Sequence, residues 1–300
     1  MNKKTEGRWI LAAMAAPLVQ ASSNCSWPVV AVVSGLCMGI AWGMEELKIG
    51  VGKTRVLTML QWLWMLLVAS EFLHWTMFCW PDYKSYHTVP TMILVLAAWL
   101  VSKGKTAARN VAGVLLPILV ILFGAVLLSG MKEINMENLI PEWKMQTAFI
   151  IVVMLLPMMC IGEEEIPKTK MIFSAVGVSL ISSGVLSMGE IEKINAPIYE
   201  LSRSITLFGA GKRYESIIAS CMTIGYFLLM CYLLEISAQL WANGKNQKRN
   251  IWISALFIGL VFISGMRINS RLLAAGTLML WGVLPVVEKI SKNMKKPLDK

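Results

Sequence analysis

Apolar residues fall in long uninterrupted blocks along this chain, separated by short stretches where lysine, arginine, glutamate, asparagine and glycine collect. Ten blocks stand out, at 9–21, 27–44, 56–79, 88–102, 110–130, 146–162, 171–188, 214–241, 251–266 and 272–288. About 20 apolar residues in a helix cross the hydrocarbon core of a bilayer. Lipid offers no partner to an unpaired backbone group, so each block predicts a helix. The first and fourth blocks are short. The first has a competing reading, because its basic start, apolar stretch and Val19-Gln20-Ala21 resemble a cleaved signal peptide. The pattern predicts an all-α polytopic membrane protein with one transmembrane domain over residues 1–300. The longest non-apolar segment, 189–213, carries Pro197, Gly209 and Gly211. It reads as structured loop and short helix over the mouth of the bundle.

Composition agrees with this class. Apolar residues make up 56% of the chain, charged residues 15%, and the mean hydropathy is +0.63. Soluble domains carry about 45–50% apolar and about 25% charged residues, so a soluble enzyme, a disordered chain and a nucleic-acid-binding domain are excluded as the main reading. The net charge of +10 then needs a membrane explanation. With the N-terminus in the cytoplasm, alternate loops place nineteen of the 28 lysines and arginines on the cytoplasmic side. They include Lys3, Arg8, Lys53, Arg55, Lys103, Arg109, Lys168, Lys170, Lys248, Arg249 and the lysines after 288. Cytoplasmic loops are the basic ones, so both termini are expected inside.

Few residues look like chemistry. The six cysteines are scattered without metal or disulfide spacing. Gly50-Val51-Gly52-Lys53-Thr54 resembles a phosphate loop, but the required earlier glycine is Leu47. Glu71 and His74 are three residues apart and share a helix face. Buried in a span, such a pair reads as proton coupling or substrate contact. Near the outer end of the span, beside Trp75, Trp80 and Tyr83, it reads as an ordinary hydrogen-bonded pair in the aromatic belt. Glu235 is a second candidate proton carrier, with snorkelling to the interface as its plain alternative. No catalytic set, metal cluster or cofactor motif can be assembled, which predicts binding or transport rather than catalysis. The Glu163-Glu164-Glu165 run reads as a solvated helix terminus.

Helix interruptions carry more weight. Transporters place ligands where helices break and free backbone groups meet the substrate, and proline frees a carbonyl. The first block holds Ala15, Ala16, Pro17 and Gln20; the sixth holds Leu156, Pro157, Cys160, Gly162 and Glu163. First and sixth correspond in two five-helix repeats, so these residues form the candidate ligand site. An ordinary kink in each helix is the plainer reading.

Three stretches resemble one family, the spore germination permeases. These are the B subunits of germinant receptors, within the amino acid–polyamine–organocation transporter superfamily. One stretch is Arg109 before an apolar run with Pro117, which exits at Asn138-Leu139-Ile140-Pro141. The second is Pro197-Ile198-Tyr199-Glu200-Leu201-Ser202-Arg203 followed by Arg213-Tyr214-Glu215. The third is Leu156-Pro157 with Gly162-Glu163. The first span is shorter than in the family, and Cys221 and Met222 lie where the family has a tryptophan. The resemblance implies ten helices in a five-plus-five inverted repeat with broken first and sixth helices. It also implies recognition of a small nutrient, typically an amino acid, without a cofactor. It further implies A and C receptor subunits as partners, in the inner membrane of a spore. Arg203, Arg213 and Glu215 would pin the outer loop to the eighth span. Two alternatives stand beside it: a proton-coupled amino acid transporter using Glu71 or Glu235, and a membrane scaffold that transports nothing.

Overall fold

The computed structural model describes residues 3–47, 49, 54–77, 87–140, 148–161, 168–191, 194, 197–204, 215–242 and 246–294. Among them every regular element is helical. The helices are α1 (Lys3–Ser23), α2 (Trp27–Glu46), α3 (Arg55–Thr76), α4 (Thr88–Ser102), α5 (Lys105–Gly130), α6 (Ala148–Ile161) and α7 (Lys168–Val185). Two short helices follow, α8 (Met188–Ile191) and α9 (Pro197–Ser204). The chain then forms α10 (Glu215–Ala242), α11 (Gln247–Ile263), α12 (Ser270–Leu278) and α13 (Leu284–Met294). A π-helical turn, Met279–Val283, joins the last two into one rod.

Each apolar block of the sequence is covered by a helix. Five are long and apolar enough to cross a membrane: α2, α3, α5, α10 and the α12–α13 rod. α4 and α6 are apolar but shorter. Val114, Ile121 and Leu128 on α5, Met92 and Trp99 on α4, and Leu256 and Ile263 on α11 are exposed. Apolar surface on this scale marks contact with lipid or another apolar partner.

Local rules explain the boundaries. Pro28 opens α2, where its missing N–H costs nothing. Asn269 accepts the Arg271 N–H at 2.9 Å and caps α12. Gly104 turns the chain between α4 and α5 at φ 125°, and Gly265 ends α11 at φ 68°. Both angles suit glycine, which has no Cβ to clash.

Contacts between helix termini define two ends of the bundle. At one end Arg109 of α5 meets Glu235 of α10, and Lys168 of α7 pairs with Glu45 of α2. This end also carries Arg8, Lys103, Lys248 and Arg249, and is called the basic end. At the other end Asn135, after α5, donates its N–H to the Gly184 carbonyl of α7 at 2.9 Å. Arg271 lies 6.0 Å from the Phe149 ring there.

α1 and α10 form the centre. α1 packs on α5, α6, α7, α9 and α10, while α10 packs on α3, α4, α5 and α11 as well. Ala12, Ala13, Met14, Ala16 and Ala21 are at most 1% exposed. α2 lies against α6 and α7, α11 against α3 and α4, and α12 against α6. The Gln61 side-chain amide of α3 donates to the Leu280 carbonyl within the π turn at 3.0 Å. Trp64 Nε1 donates to Thr277 Oγ1 at 3.0 Å, over Gly276, where a Cβ would sit 2.4 Å from the indole.

Two expectations change. The first span is longer than 9–21, because the polar residues from Lys3 onward join the helix. It is also unbroken: α1 runs through Pro17, and α6 runs through Pro157. Each proline removes one helical hydrogen bond, but burial of the surrounding turns holds the helix together. The expected break at Gly162 and Glu163 lies outside the described residues. The expected short helix within 189–213 is present as α8 and α9.

Gly225 lies so close to α1 that an added Cβ would come 2.2 Å from the Ala16 Cβ. Gly225→Ala is expected to force the two helices apart and cost about 1–3 kcal/mol. Thermal unfolding in detergent reads this, with Gly39→Ala, which meets nothing within 4 Å, as the neutral control.

Candidate functional site

The half of α1 away from the basic end changes character after Ala16. Gln20, Ser22 and Ser23 are buried in succession. The Tyr226 hydroxyl of α10 donates to Gln20 Oε1. The Gln20 carbonyl accepts from Ser23 Oγ at 2.9 Å and from Asn24 Nδ2 at 2.7 Å. Across the helix, α7 presents Ser179, Ser182 and Ser183, all at most 1% exposed. Their spacing of three and four residues puts them on one face. Ser179 Oγ donates to the Cys25 carbonyl, joining α7 to the turn between α1 and α2. α9 packs on α1, α7 and α10 together. The result is a buried, uncharged polar seam between α1, α7 and α10, in the last turns of α1 and α7 and away from the basic end.

Ser22 Oγ and Ser182 Oγ are buried without a hydrogen-bond partner among the described residues. A helical serine normally returns its hydroxyl to a carbonyl three or four residues back, as Ser220 does to Ser216. Most buried polar groups are paired, so two uncommitted hydroxyls beside one helix are a capacity to bind something polar.

The predicted ligand residues fall on two neighbouring helices. Ala15 is half-buried, Ala16 and Pro17 are buried, and Gln20 belongs to the seam. On α6, Leu156 and Pro157 are buried. Cys160 lies toward the basic end, 3.7 Å from the Met44 sulfur. Gln20 and Cys160 therefore sit toward opposite ends and do not share one contact. Gly162 and Glu163 are outside the described residues.

The predicted proton carriers are separated. Glu71 is half-buried, accepts from the Ile268 N–H and lies near Arg267. It lines a cavity of about 40 Å³ with Val68, Phe72, Trp75, Ile150 and Leu273. His74 is 3% exposed, with its ring 4.7 Å from Phe262 and no partner for either nitrogen among the described residues. The two do not bond to each other, so they are not a coupled pair here. Glu235 does not snorkel: Arg109 Nη2 lies 3.2 Å from its Oε1, with the side chains 11% and 3% exposed. Gln239 Nε2 donates to the same oxygen at 3.3 Å.

The motif residues have structural positions. Asn138 Nδ2 donates to the Gly184 carbonyl at 3.2 Å, and Trp27 Nε1 donates to the Leu139 carbonyl at 3.2 Å. These bonds fasten the exit of α5 to α7 and α2. Pro197 opens α9 and is buried, and the Tyr199 carbonyl accepts from Ser202 Oγ at 2.6 Å. Pro141, Arg213 and the side chains of Arg203 and Glu215 lie outside the described residues. Sequence reading missed Ser22, Ser179, Ser182 and Tyr226. For Ser179 and Ser182 the signal was the one-face serine spacing in the seventh block; Ser22 and Tyr226 had no such pattern. The link between Arg109 and Glu235, 126 residues apart, had none.

Among the described residues no group of three or more metal-ligating side chains forms. Compared with known proteins, the chain matches no protein-family model and no curated protein.

Tyr226→Phe is expected to leave Gln20 Oε1 buried and short of a donor, at a cost of about 1–3 kcal/mol. The Tyr226→Phe/Gln20→Leu double variant should recover much of that loss. Unfolding of detergent-solubilised protein measures both.

Proposed function

We propose that this chain is a permease-like membrane protein of the spore germination type, which recognises a small nutrient such as an amino acid inside its helical bundle. In this reading it works within a germinant receptor, alongside A and C subunits. The basic end faces the cytoplasm, and both termini lie there, as the distribution of lysine and arginine favours. Recognition, not bond-making, is its task.

The observation that carries the reading is the buried, uncharged seam between α1, α7 and α10, with the Ser22 and Ser182 hydroxyls uncommitted. Buried polar groups inside a membrane-spanning bundle are costly and mark ligand paths. Helix pairing supports the five-plus-five arrangement. Exchange α1–α5 for α6, α7, α10, α11 and the α12–α13 rod, in that order. The α1–α5 contact becomes α6–α12, α2–α6 becomes α7–α1, and α4–α10 becomes α11–α3; all of these occur. The extensive α1–α10 contact is the main departure from that symmetry. The motif residues Arg109 and Asn138 tie α5 and its exit to α10 and α7.

A second reading, a proton-coupled transporter, has one observation in its favour. Glu71 is half-buried beside a small cavity and Arg267, whereas Glu235 is already committed to Arg109.

An amino acid panel read by thermal stabilisation of the purified protein tests the main proposal. A ligand that binds only the folded state adds about 2.7 kcal/mol at one hundred times its dissociation constant. A selective hit is expected, and it should be lost in Ser22→Val and Ser182→Val variants that keep their own melting temperature. No hit in a well-folded sample would overturn ligand recognition by this chain alone and favour the scaffold. Uptake that collapses with the proton gradient and in Glu71→Gln would establish the second reading.

A further inference from the structure

The one strongly buried ion pair among the described residues lies where three helices converge at the basic end. Arg109 is in the second turn of α5, and Glu235 is two turns from the end of α10. α1 joins them through Trp9, which meets Tyr232 edge-on at 5.8 Å, one turn before Glu235. The neighbouring α1–α10 surface is apolar and tight. The pair is therefore the part of this contact that gains most from water when the helices separate.

We infer that the Arg109–Glu235 pair is a reversible latch on the basic end, closed in this structure and released by hydration of its two charges. The inference rests on the proposed reading of the chain as a permease-like protein whose basic end faces the cytoplasm. Stability alone does not call for such a pair, because well-packed apolar residues in place of a buried ion pair are often as stable or more so. An ion pair has a property that apolar replacements lack. Paired, both charges tolerate burial; separated, both are solvated by water and lose little. An apolar pair must expose its surface to separate. Charge thus allows a contact that closes fully and still opens. The position fits, since Arg109 lies in the second turn of α5, close to the Gly104 turn at which that helix begins. The Arg109 side chain is also already 11% exposed, within reach of water.

The latch predicts an ordering that a merely structural pair does not. Removing one partner leaves a buried charge uncompensated, so the end opens to hydrate it. Removing both and filling the space with apolar side chains locks the end. Cys231 is a built-in reporter: it is 0% exposed and sits four residues before Glu235 on the same face of α10. The experiment uses full-length protein in nanodiscs, with the other five cysteines replaced by alanine and no ligand added. It follows the initial rate of Cys231 labelling by a water-soluble maleimide.

Arg109→Met and Glu235→Gln are each expected to raise that rate about tenfold. The Arg109→Met/Glu235→Met variant should label more slowly than the parent. The exchanged pair, Arg109→Glu/Glu235→Arg, should return close to the parental rate. A double apolar variant that labels as fast as the parent or faster overturns the latch. So do rates that simply follow the melting temperatures of the variants. If a single variant fails to insert, the double apolar variant against the parent decides alone. Because no nutrient is added, failure of the latch is distinguishable from failure of ligand recognition, which the thermal panel reads separately.

Discussion

Where α1 crosses α10, the backbones approach until position 225 has no room for a side chain. Lipid tails are as apolar as leucine, so helices in a bilayer are not driven together by the hydrophobic effect between them. They associate through close packing of small residues and hydrogen bonds. Ala12, Ala13, Ala16, Ala21 and Gly225 supply the close packing, and Tyr226 with Gln20 supplies the bond. The rest of the bundle is arranged round this contact. α5, α6, α7 and α9 close over α1, while α3, α4, α5 and α11 close over α10.

Polarity is partitioned along the same axis. The basic end holds ion pairs, buried in the case of Arg109 and Glu235 and partly exposed in the case of Lys168 and Glu45. The opposite half of α1 holds amide and hydroxyl groups only. This division follows from cost. A charge near an end is reached by water or a partner, whereas an unpaired charge at mid-depth has neither. Neutral hydroxyls tolerate burial, and those left uncommitted keep a capacity to bind. The seam thus lies between α1, α7 and α10, and the buried ion pair between α5 and α10 at the basic end.

The outer rod of α12 and α13 is fixed by a different device. Its π turn displaces one backbone carbonyl from the regular ladder, and π turns often mark functional positions. Gln61 meets the Leu280 carbonyl from α3, and Trp64 lies flat enough against Gly276 to reach Thr277. A buried polar side chain in the second turn of α3 is thereby explained by a neighbour 219 residues away.

The class of this protein was legible in the chain because bilayer thickness and backbone pairing act locally. A run of apolar residues near 20 long has one low-cost structure in lipid, so ten blocks give helices at the expected places. The short helix α9 follows from the placement of Pro197 in the same way. Ends were less legible. Lys3 and its neighbours continue α1, and Pro17 and Pro157 interrupt nothing, because burial on every side outweighs the hydrogen bond each proline removes. Partnerships were not legible at all. Nothing local in Glu235 distinguishes a snorkelling carboxylate from one neutralised by Arg109, and nothing local in Ser22 separates a satisfied hydroxyl from an uncommitted one. A sequence sets what each helix offers on each face. Only the tertiary structure sets which faces meet, because that choice depends on the summed packing of helices far apart in the chain.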